Sequence, residues 1–419
     1  MPVFALCDAN NFYCSCERVF APHLRGVPVV VLSNNDGCCI ARSQEAKDLG
    51  IKMGDPWFKI ERWAVGKGVR HFSSNYVLYG DMSRRLYEVL QRFSPRVEPY
   101  SIDEMFLDLD GLGVDLIDRG RAIRAAILQE TKIPTCVGIG ETKTKAKLAN
   151  FLAKKRPEYA GVCDLRSPDA CARLYPTIPL GEVWGIGRAS AAKLQALGLS
   201  TVADLAGFDV THGRDVLTVT GARVIMELQG QCCHDLSLIS PQRKGISVTR
   251  TFGASVTEWE ELKESVSTFA TRAGDKLRQH GLLACAMTVF IQTNRFLPGE
   301  FYSNAATFGI EPTQDSLLLI RDALRGVKLL FRNGFKYWKA GVMLDDLIDA
   351  KTAAAQMFPS RDPEKSARLM AAMDGINSRF GRGMVRPAVS GVERRWTAKA
   401  EFLSPRYTTR IEELPTVRA

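Results

Sequence analysis

The sequence has 419 residues, which is too long for one ordinary hydrophobic core and predicts about three domains. Its longest strongly apolar run, residues 282–291, is about half a membrane span, and the N-terminus lacks the features of a signal peptide, so we expect a cytosolic protein without a membrane partner. The formal net charge of +10 favours a polyanionic partner, and the spacing of the eleven cysteines matches no zinc pattern and predicts reduced thiols.

The first 155 residues alternate between strand and helix patterns, with a compact helical region between residues 34 and 93. The predicted elements in chain order are strands over 1–7 and 28–33, helices over 43–49 and 75–93, a strand, turn and strand over 97–109, a helix over 121–130, a strand over 135–139 and a basic helix over 142–155. This order predicts an α+β sheet with helices on one face.

The remainder predicts two further regions and a tail. Residues 176–231 read as short helices separated by glycine-rich turns. Residues 247–344 predict a second small α+β domain, with strand, helix, strand, helix, strand in order and room for another strand near 301–308. Beyond residue 346 the periodic pattern weakens, so we expect a tail with local helices.

Three carboxylates stand at predicted strand ends. Asp8 follows the apolar run 3–7, and Asp103 and Glu104 lie in the bend between two strands. Anions that converge on one cleft raise one another's pKa unless cations neutralise them, and hard divalent cations take oxygen ligands. This predicts a divalent metal site. The alternatives are that Asp8 caps a helix starting near Phe12, and that Asp103 and Glu104 form a polar turn.

Two neighbouring features fit a nucleotide. The predicted basic helix carries six cations, and next to a metal site a lysine would meet phosphates, although a solvated basic face is the alternative; the cations are Lys143, Lys145, Lys147, Lys154, Lys155 and Arg156. Tyr13, five residues after Asp8, is placed to lie under a nucleotide sugar. Phe12 beside it suits core packing better.

Residues 183–187 have the spacing of a helix-hairpin-helix. Gly185 and Gly187 permit a tight hairpin, and free amides at the start of the following helix can bind a DNA phosphate without reading bases. An ordinary helix-turn-helix corner is the alternative. Residues 219–223 suggest a degenerate second copy.

In this order, the motifs resemble those of Y-family translesion DNA polymerases. They are residues 8–13, 100–104, 137–140 with Lys143 and Lys147, and 183–187, and the resemblance covers roughly residues 1–345. Residues 31–38 and the tail segments 373–377, 381–383 and 404–410 are similar to the UmuC and MucB type, the catalytic subunit of DNA polymerase V.

The resemblance implies an α+β right-hand polymerase with a ferredoxin-like palm. The implied domains are the palm over 1–11 and 78–155, small fingers over 12–77, a helical thumb with the helix-hairpin-helix over 156–236, an α+β little finger over 243–345 and a partner-binding tail over 346–419. It also implies error-prone synthesis opposite damaged template in the SOS response.

The resemblance also implies roles for single residues. Two Mg²⁺ ions would be held by the catalytic carboxylates of Asp8, Asp103 and Glu104 and by the carbonyl of Ala9. The nucleotide would contact Tyr13, Phe12, Lys47 and Lys147, and DNA would contact Gly185, Gly187 and Arg188. Gln44 stands where the family often has a tyrosine.

The implied partners are primer-template DNA, deoxynucleoside triphosphates, a UmuD′-type dimer, a RecA filament and the sliding clamp, within a bacterial nucleoid. For the clamp, the segment 353–358 offers only Met357 and Phe358 as apolar anchors. Two rival functions are a nucleotide cyclase on a palm-like fold and a non-catalytic DNA-binding scaffold. The DNA-binding hairpin and the lack of a Gly-Gly-Asp-Glu-Phe signature count against the cyclase.

Overall fold

The computed structural model describes residues 2–112, 115–239, 241–297, 299–354, 357–392 and 394–414. The chain divides into two compact units. Unit 1 comprises Met1–Ser33, Gly37–Ser240 and Phe402–Ala419, and unit 2 comprises Asn34–Asp36 and Pro241–Glu401. The tail predicted from residue 346 is therefore shared between the units.

Unit 1 contains a five-stranded sheet, a three-stranded sheet and a helical region. Its elements are β1 Phe4–Ala9, α1 Phe12–Phe20, β2 Val29–Leu32, β3 Cys39–Arg42, α2 Gln44–Asp48, α3 Trp57–Gly66, β4 Arg70–Ser73, α4 Tyr76–Leu90, β5 Val97–Pro99, β6 Glu104–Asp108, α5 Leu116–Thr131, β7 Thr135–Gly140, α6 Lys143–Lys155, β8 Val162–Asp164, α7 Pro168–Leu174, α8 Arg188–Ala196, α9 Val202–Ala206 and α10 Val210–Leu228.

The larger sheet has the order β5-β6-β1-β7-β8, so β1 is central and buried along its whole length. Alternate residues of β1 face opposite cores: Ala5 and Cys7 pack with α4 and α5, whereas Phe4 and Leu6 pack with Ala146 of α6. The prediction of helices on one face was therefore wrong. Gly138 explains the second layer, because a Cβ there would lie 2.1 Å from the backbone nitrogen of Asn150, so only glycine lets α6 approach.

The smaller sheet has the order β3-β2-β4, with β2 and β4 parallel. It packs its buried side chains, including Val30 and Leu32, against Trp57 of α3. The predicted compact helical region between residues 34 and 93 was thus wrong in part, since β3 and β4 lie within it. Each of these strands has only four residues, which is too short to show a clear alternation of polar and apolar residues.

The helical region after β8 packs Leu194, Val202 and Ile225 into a core that it shares with Leu148 and Leu152 of α6. Helix α10 bends at Thr218, whose φ of 67° is non-helical. A Cβ on Gly213 would lie 2.2 Å from Cδ1 of Ile225, so the two halves of α10 pack against each other. The segment predicted as a second hairpin lies at this bend.

Unit 2 is a four-stranded antiparallel sheet of order β11-β10-β12-β9 with helices packed against it. Its elements are β9 Ile246–Val256, α11 Trp259–Gln279, β10 Leu282–Thr293, β11 Ser303–Thr313, α12 Ser316–Leu330, β12 Tyr337–Asp349 and α13 Pro363–Phe380. The predicted order is confirmed, including the additional strand, which is β11.

The part of the tail in unit 2 is folded onto that unit. Asp374 of α13 pairs with Arg278 of α11 at 2.6 Å, and Trp396 is buried between Phe252 and Phe269. All eleven cysteines are free thiols. Among the described residues, no helix combines the length and apolarity needed to cross a bilayer.

Candidate active site

Three carboxylates lie at one end of the larger sheet of unit 1. Asp8 on β1 is directly opposite Glu104 on β6 in the antiparallel register, and Asp103 lies in the bend just before β6. The backbone carbonyl of Asp103 accepts a hydrogen bond from the amide of Ala9 at 2.9 Å, which ties the bend to the end of β1. Sheet register and this bend therefore place the residues predicted as catalytic at the same end of the sheet.

Two lysines of α6 neutralise this cluster. Lys154 Nζ lies 2.5 Å from Asp8 Oδ2, and Lys147 Nζ lies 2.8 Å from Glu104 Oε1. Burial raises the pKa of Asp8 to about 7, and the carboxylates of Glu104 and Asp103 add to the rise while Lys154 opposes it. The mutual repulsion expected from the sequence is thus present at Asp8.

The donors fit a hard divalent cation, because they are carboxylate oxygens, and Ala9, whose carbonyl is the remaining predicted donor, lines the same cleft as Asp8 and Asp103. No three acidic, histidine or cysteine side chains in the described part of the chain lie close enough together to hold one ion. Glu104 points to Lys147, and Asp8 to Lys154. A bound divalent cation would therefore replace lysine ammonium groups as the neutralising charge.

A cleft opens beside Asp8 and Asp103, and its other walls come from α1, β3 and α2. Lys47 and Arg42 line it, together with Lys154. Lys47 donates a hydrogen bond to Asn11 Oδ1 at 2.6 Å. Burial lowers the pKa of Lys47, and the positive charges of Arg42, Lys154 and Lys155 lower it further, so cations converge next to the carboxylates.

Tyr13 and Phe12 begin helix α1 and also line the cleft. The ring of Tyr13 is half-buried and stacks on the ring of Tyr79, with centroids 4.5 Å apart and planes 16° apart. Phe12 is only 3% exposed and belongs to the core of unit 1. Tyr13 therefore presents part of its ring to the cleft, whereas the ring of Phe12 mainly packs in the core.

The alternative reading of Asp8 as a helix cap does not hold in the structure. Asn11 is the N-terminal cap of α1, with a left-handed φ of 50° and no side-chain cap hydrogen bond. Gln44 donates to Asp48 at 2.8 Å along α2 and is exposed there. Its role at the cleft stays a prediction.

The hairpin before α8 is open. Val183 and Ile186 are buried, whereas Gly185, Gly187 and Arg188 are exposed. Gly185 has a φ of +89°, which requires glycine, and Gly187 caps α8 without a side-chain hydrogen bond to the first amides. A 3₁₀ turn over Leu180–Glu182, rather than a full helix, precedes this hairpin.

The sequence of this chain matches the models of a known protein family. The impB/mucB/samB family matches residues 7–150 and its C-terminal domain matches residues 243–357, while a domain of unknown function, DUF4113, matches residues 367–417. UmuC of Salmonella typhimurium is 44% identical across 99% of this chain and 100% of its own length. MucB of Escherichia coli is 38% identical across 99% of both chains. The chain belongs to the impB/mucB/samB family.

Structural comparison agrees. A solved structure titled "Y-family DNA polymerase chimera Dbh-Dpo4(243-245)-Dbh" aligns with a TM-score of 0.65 at 23% identity, covering 83% of this chain and 99% of that one. DNA polymerase IV 1 of Bacillus subtilis is 26% identical over 90% of this chain and 91% of its own. The sequence-based recognition of a UmuC/MucB-type member of the Y-family of DNA polymerases, and of an α+β polymerase fold, is confirmed.

In this impB/mucB/samB protein, the sequence did not indicate that Lys154, Arg42 and Asn11 line the cleft. Lys154 was only one of six crowded cations. The structure separates them by their partners, since Lys143 pairs with Glu98 and Lys145 with Glu141, both at 2.5 Å. Lys147 lies on Glu104 and 4.4 Å from the ring centroid of Tyr100. Its predicted contact with the triphosphate stays a prediction.

Proposed function

We propose that the protein is an error-prone translesion DNA polymerase that adds deoxynucleotides to a primer 3′-hydroxyl opposite damaged template in the SOS response. The observation that carries the proposal is the register pair Asp8 and Glu104, with Asp103 in the adjoining bend, next to a cleft that Asp8 and Asp103 line together with Lys47 and Tyr13. Carboxylates for metal ions, cations for a triphosphate and a ring for a sugar then share one site.

In this proposal Asp8, Asp103, Glu104 and the Ala9 carbonyl hold two Mg²⁺ ions. When bound, such ions lower the pKa of an attacking hydroxyl and neutralise charge on the triphosphate and the leaving pyrophosphate. Lys47, Arg42 and Lys154 bind the triphosphate as positive charges, so that the α-phosphate is held in line with the primer. The chain contributes positioning and electrostatic stabilisation.

The ring of Tyr13 selects the sugar. Tyr79 backs this ring, so it cannot retreat into the core when a ribose 2′-hydroxyl approaches. A deoxyribose lacks that oxygen and fits. A separate surface, the hairpin before α8, contacts primer-template DNA through Gly185, Gly187 and Arg188, because the open amides at the start of α8 suit phosphates in any sequence.

Primer extension tests the proposal. The full chain should extend a primer on undamaged and abasic templates with Mg²⁺ and deoxynucleoside triphosphates, and Asp103→Asn or Glu104→Gln should lower extension by roughly a hundred-fold or more while DNA binding persists. Asp110→Asn, an exposed aspartate beyond β6, is the matched control and should retain activity. Extension by Glu104→Gln at the parent rate would refute the proposed catalytic site.

The same assay separates the rival functions. A cyclase would convert a single nucleoside triphosphate to a cyclic product without primer, and a scaffold would bind DNA without extending it. We further propose that a UmuD′-type dimer, a RecA filament and the sliding clamp are protein partners. The match to the whole length of UmuC supports this assignment.

A further inference from the structure

The C-terminal part of unit 1, residues 402–413, packs against β4, the cap of α4 and helix α1, which carries the proposed sugar-selecting tyrosine; we call it the clasp. At its first residue, the backbone amide of Phe402 donates to Ser73 Oγ, and the backbone carbonyl of Phe402 accepts from the amide of Ser73 at the end of β4. Both hydrogen bonds are 3.0 Å long. Further along, Tyr407 stacks on Phe20 of α1 with ring centroids 4.6 Å apart. The clasp is therefore attached to the rest of unit 1 at Phe402 and at Tyr407.

Between these anchors, Ser404 enters a buried hydrogen-bonded chain. Asn75 Nδ2 donates to Ser404 Oγ at 3.0 Å, and Ser404 Oγ donates to Glu17 Oε1 at 3.0 Å. The same Glu17 oxygen accepts from the hydroxyl of Tyr79 at 2.6 Å. All four residues are less than about a tenth exposed, so each of these bonds lacks competition from water.

The chain of hydrogen bonds is connected to the cleft through the rings of Tyr79 and Tyr13. Tyr13 and Glu17 are four residues apart on α1 and share one face of it. Tyr79, whose hydroxyl is held by Glu17, presents its ring to the ring of Tyr13 at 4.5 Å. Burial raises the pKa of Glu17 to about 7, and the two donated hydrogen bonds oppose that rise, so both donors favour a carboxylate at this position.

We propose that the clasp is a specificity element of the polymerase: Ser404, through Glu17 and Tyr79, fixes the ring of Tyr13 and so sets discrimination against ribonucleotides. This inference rests on the proposed function, because it needs Tyr13 to contact the sugar. Ser404, Glu17 and Tyr79 are positioning residues. Loss of one bond lets the Tyr79 ring shift, and Tyr13 then gives way to a 2′-hydroxyl.

The test is single-nucleotide incorporation by the full chain, with kcat/KM measured for a deoxynucleotide and the matching ribonucleotide. Ser404→Ala removes the donor to Glu17, and Tyr79→Phe removes the hydroxyl but keeps the ring. Each should lower the deoxy-to-ribo ratio roughly ten-fold, mainly by improving ribonucleotide use. Ser404→Thr keeps a hydroxyl and should restore most of the ratio.

Arg406→Ala is the matched control within the clasp, because it breaks only the pair between Arg406 and Glu413. It should leave the ratio unchanged. Tyr13→Ala should lower the ratio most, and adding Ser404→Ala to it should have no further effect. If Ser404→Ala does not fold, as judged by circular dichroism, Tyr79→Phe carries the test.

The outcomes separate the two claims. An unchanged ratio in Tyr79→Phe and Ser404→Ala, with a lowered ratio in Tyr13→Ala, overturns the inference and leaves the proposed function intact. An equal loss for both sugars in Ser404→Ala makes the clasp merely structural and also overturns it. An unchanged ratio in an active Tyr13→Ala variant refutes the sugar-selecting role itself.

Discussion

Helix α6 and the hairpin before α8 are both predicted from the sequence to meet phosphates, yet the structure gives their polar groups opposite surroundings. Four lysines of α6 lie on carboxylates, namely Lys143 on Glu98, Lys145 on Glu141, Lys147 on Glu104 and Lys154 on Asp8. The hairpin instead exposes Gly185, Gly187 and Arg188, and α8 starts without a side-chain cap. A count of cations therefore does not by itself identify an anion-binding surface, because acidic side chains of the same protein already pair with four of the lysines of α6.

The largest expected effect is on stability, at the buried end of α6. Lys143→Ala would leave Glu98 buried without its cation, which costs about 3–5 kcal/mol in the free energy of unfolding. Urea unfolding measures it. Lys155→Ala, on the exposed last turn of the same helix, should change the free energy by less than about 0.5 kcal/mol. Equal midpoints for the two variants would show that the paired lysines are not structural.

The second prediction separates the two lysines nearest the cleft. Lys154→Ala should raise the KM for the incoming deoxynucleotide roughly ten- to a hundred-fold, because a charged contact to the triphosphate is lost. Steady-state incorporation measures the change, and Lys328→Ala, at an exposed lysine of α12 in unit 2, is the control. Lys147→Ala should affect KM less. A larger effect of Lys147→Ala than of Lys154→Ala would instead support the sequence-based assignment of Lys147 to the triphosphate.

The third prediction concerns the exposed hairpin before α8. Gly187→Val should weaken DNA binding roughly three- to ten-fold without base preference, because its side chain would cover the amides that start α8. A Cβ at Gly187 meets nothing within 4 Å, so the fold should tolerate the change. Fluorescence anisotropy over a salt series measures the affinity. Gly207→Val, at an exposed glycine after α9, is the control, and overlaid curves for both variants would make the hairpin purely structural.

The smallest effect is expected at a second open surface, in the tail. Met357 and Phe358 are 84% and 89% exposed, while Ala355 and Gln356 of the same predicted clamp segment lie outside the described residues. Met357→Ala with Phe358→Ala should lower clamp-stimulated synthesis roughly two- to three-fold and spare unstimulated synthesis. Point variants are required, since deletion after Asp346 would also remove Trp396 from the core of unit 2. Equal stimulation of parent and variant would exclude these anchors.

Much of the fold follows from periodicity. The long helices and strands, such as α4, α11 and β10, were predicted because each extends over enough residues to show its period. The four-residue strands β3 and β4 were missed because they do not. The second helical layer was missed because its signal is a pair of glycines on β7, Gly138 and Gly140. A glycine has no apolar side chain, so the pattern of apolar residues does not reveal the face that it buries.

The candidate site divides in the same way. Asp8, Asp103 and Glu104 could be predicted because strand ends and a bend are local features of the sequence. Lys154 and Arg42 could not be singled out, since their place at the cleft depends on how α6 and β3 lie across the sheet. The hydrogen bonds of Ser404 to Glu17 and Asn75 span more than three hundred residues of chain, and no local pattern encodes such a contact.

That long separation gives unit 1 an order of assembly. Its sheet and helices are synthesised first, then residues 241–401 of unit 2 must all leave the ribosome before the clasp emerges. At bacterial elongation rates this delay is on the order of ten seconds. Throughout it, Glu17 has only Tyr79 as a donor from this chain of bonds, and the Asn75 amide has no Ser404 to receive it. A nascent polypeptide is thus an unfinished enzyme, whose selectivity for sugars would mature only after translation has passed the clasp.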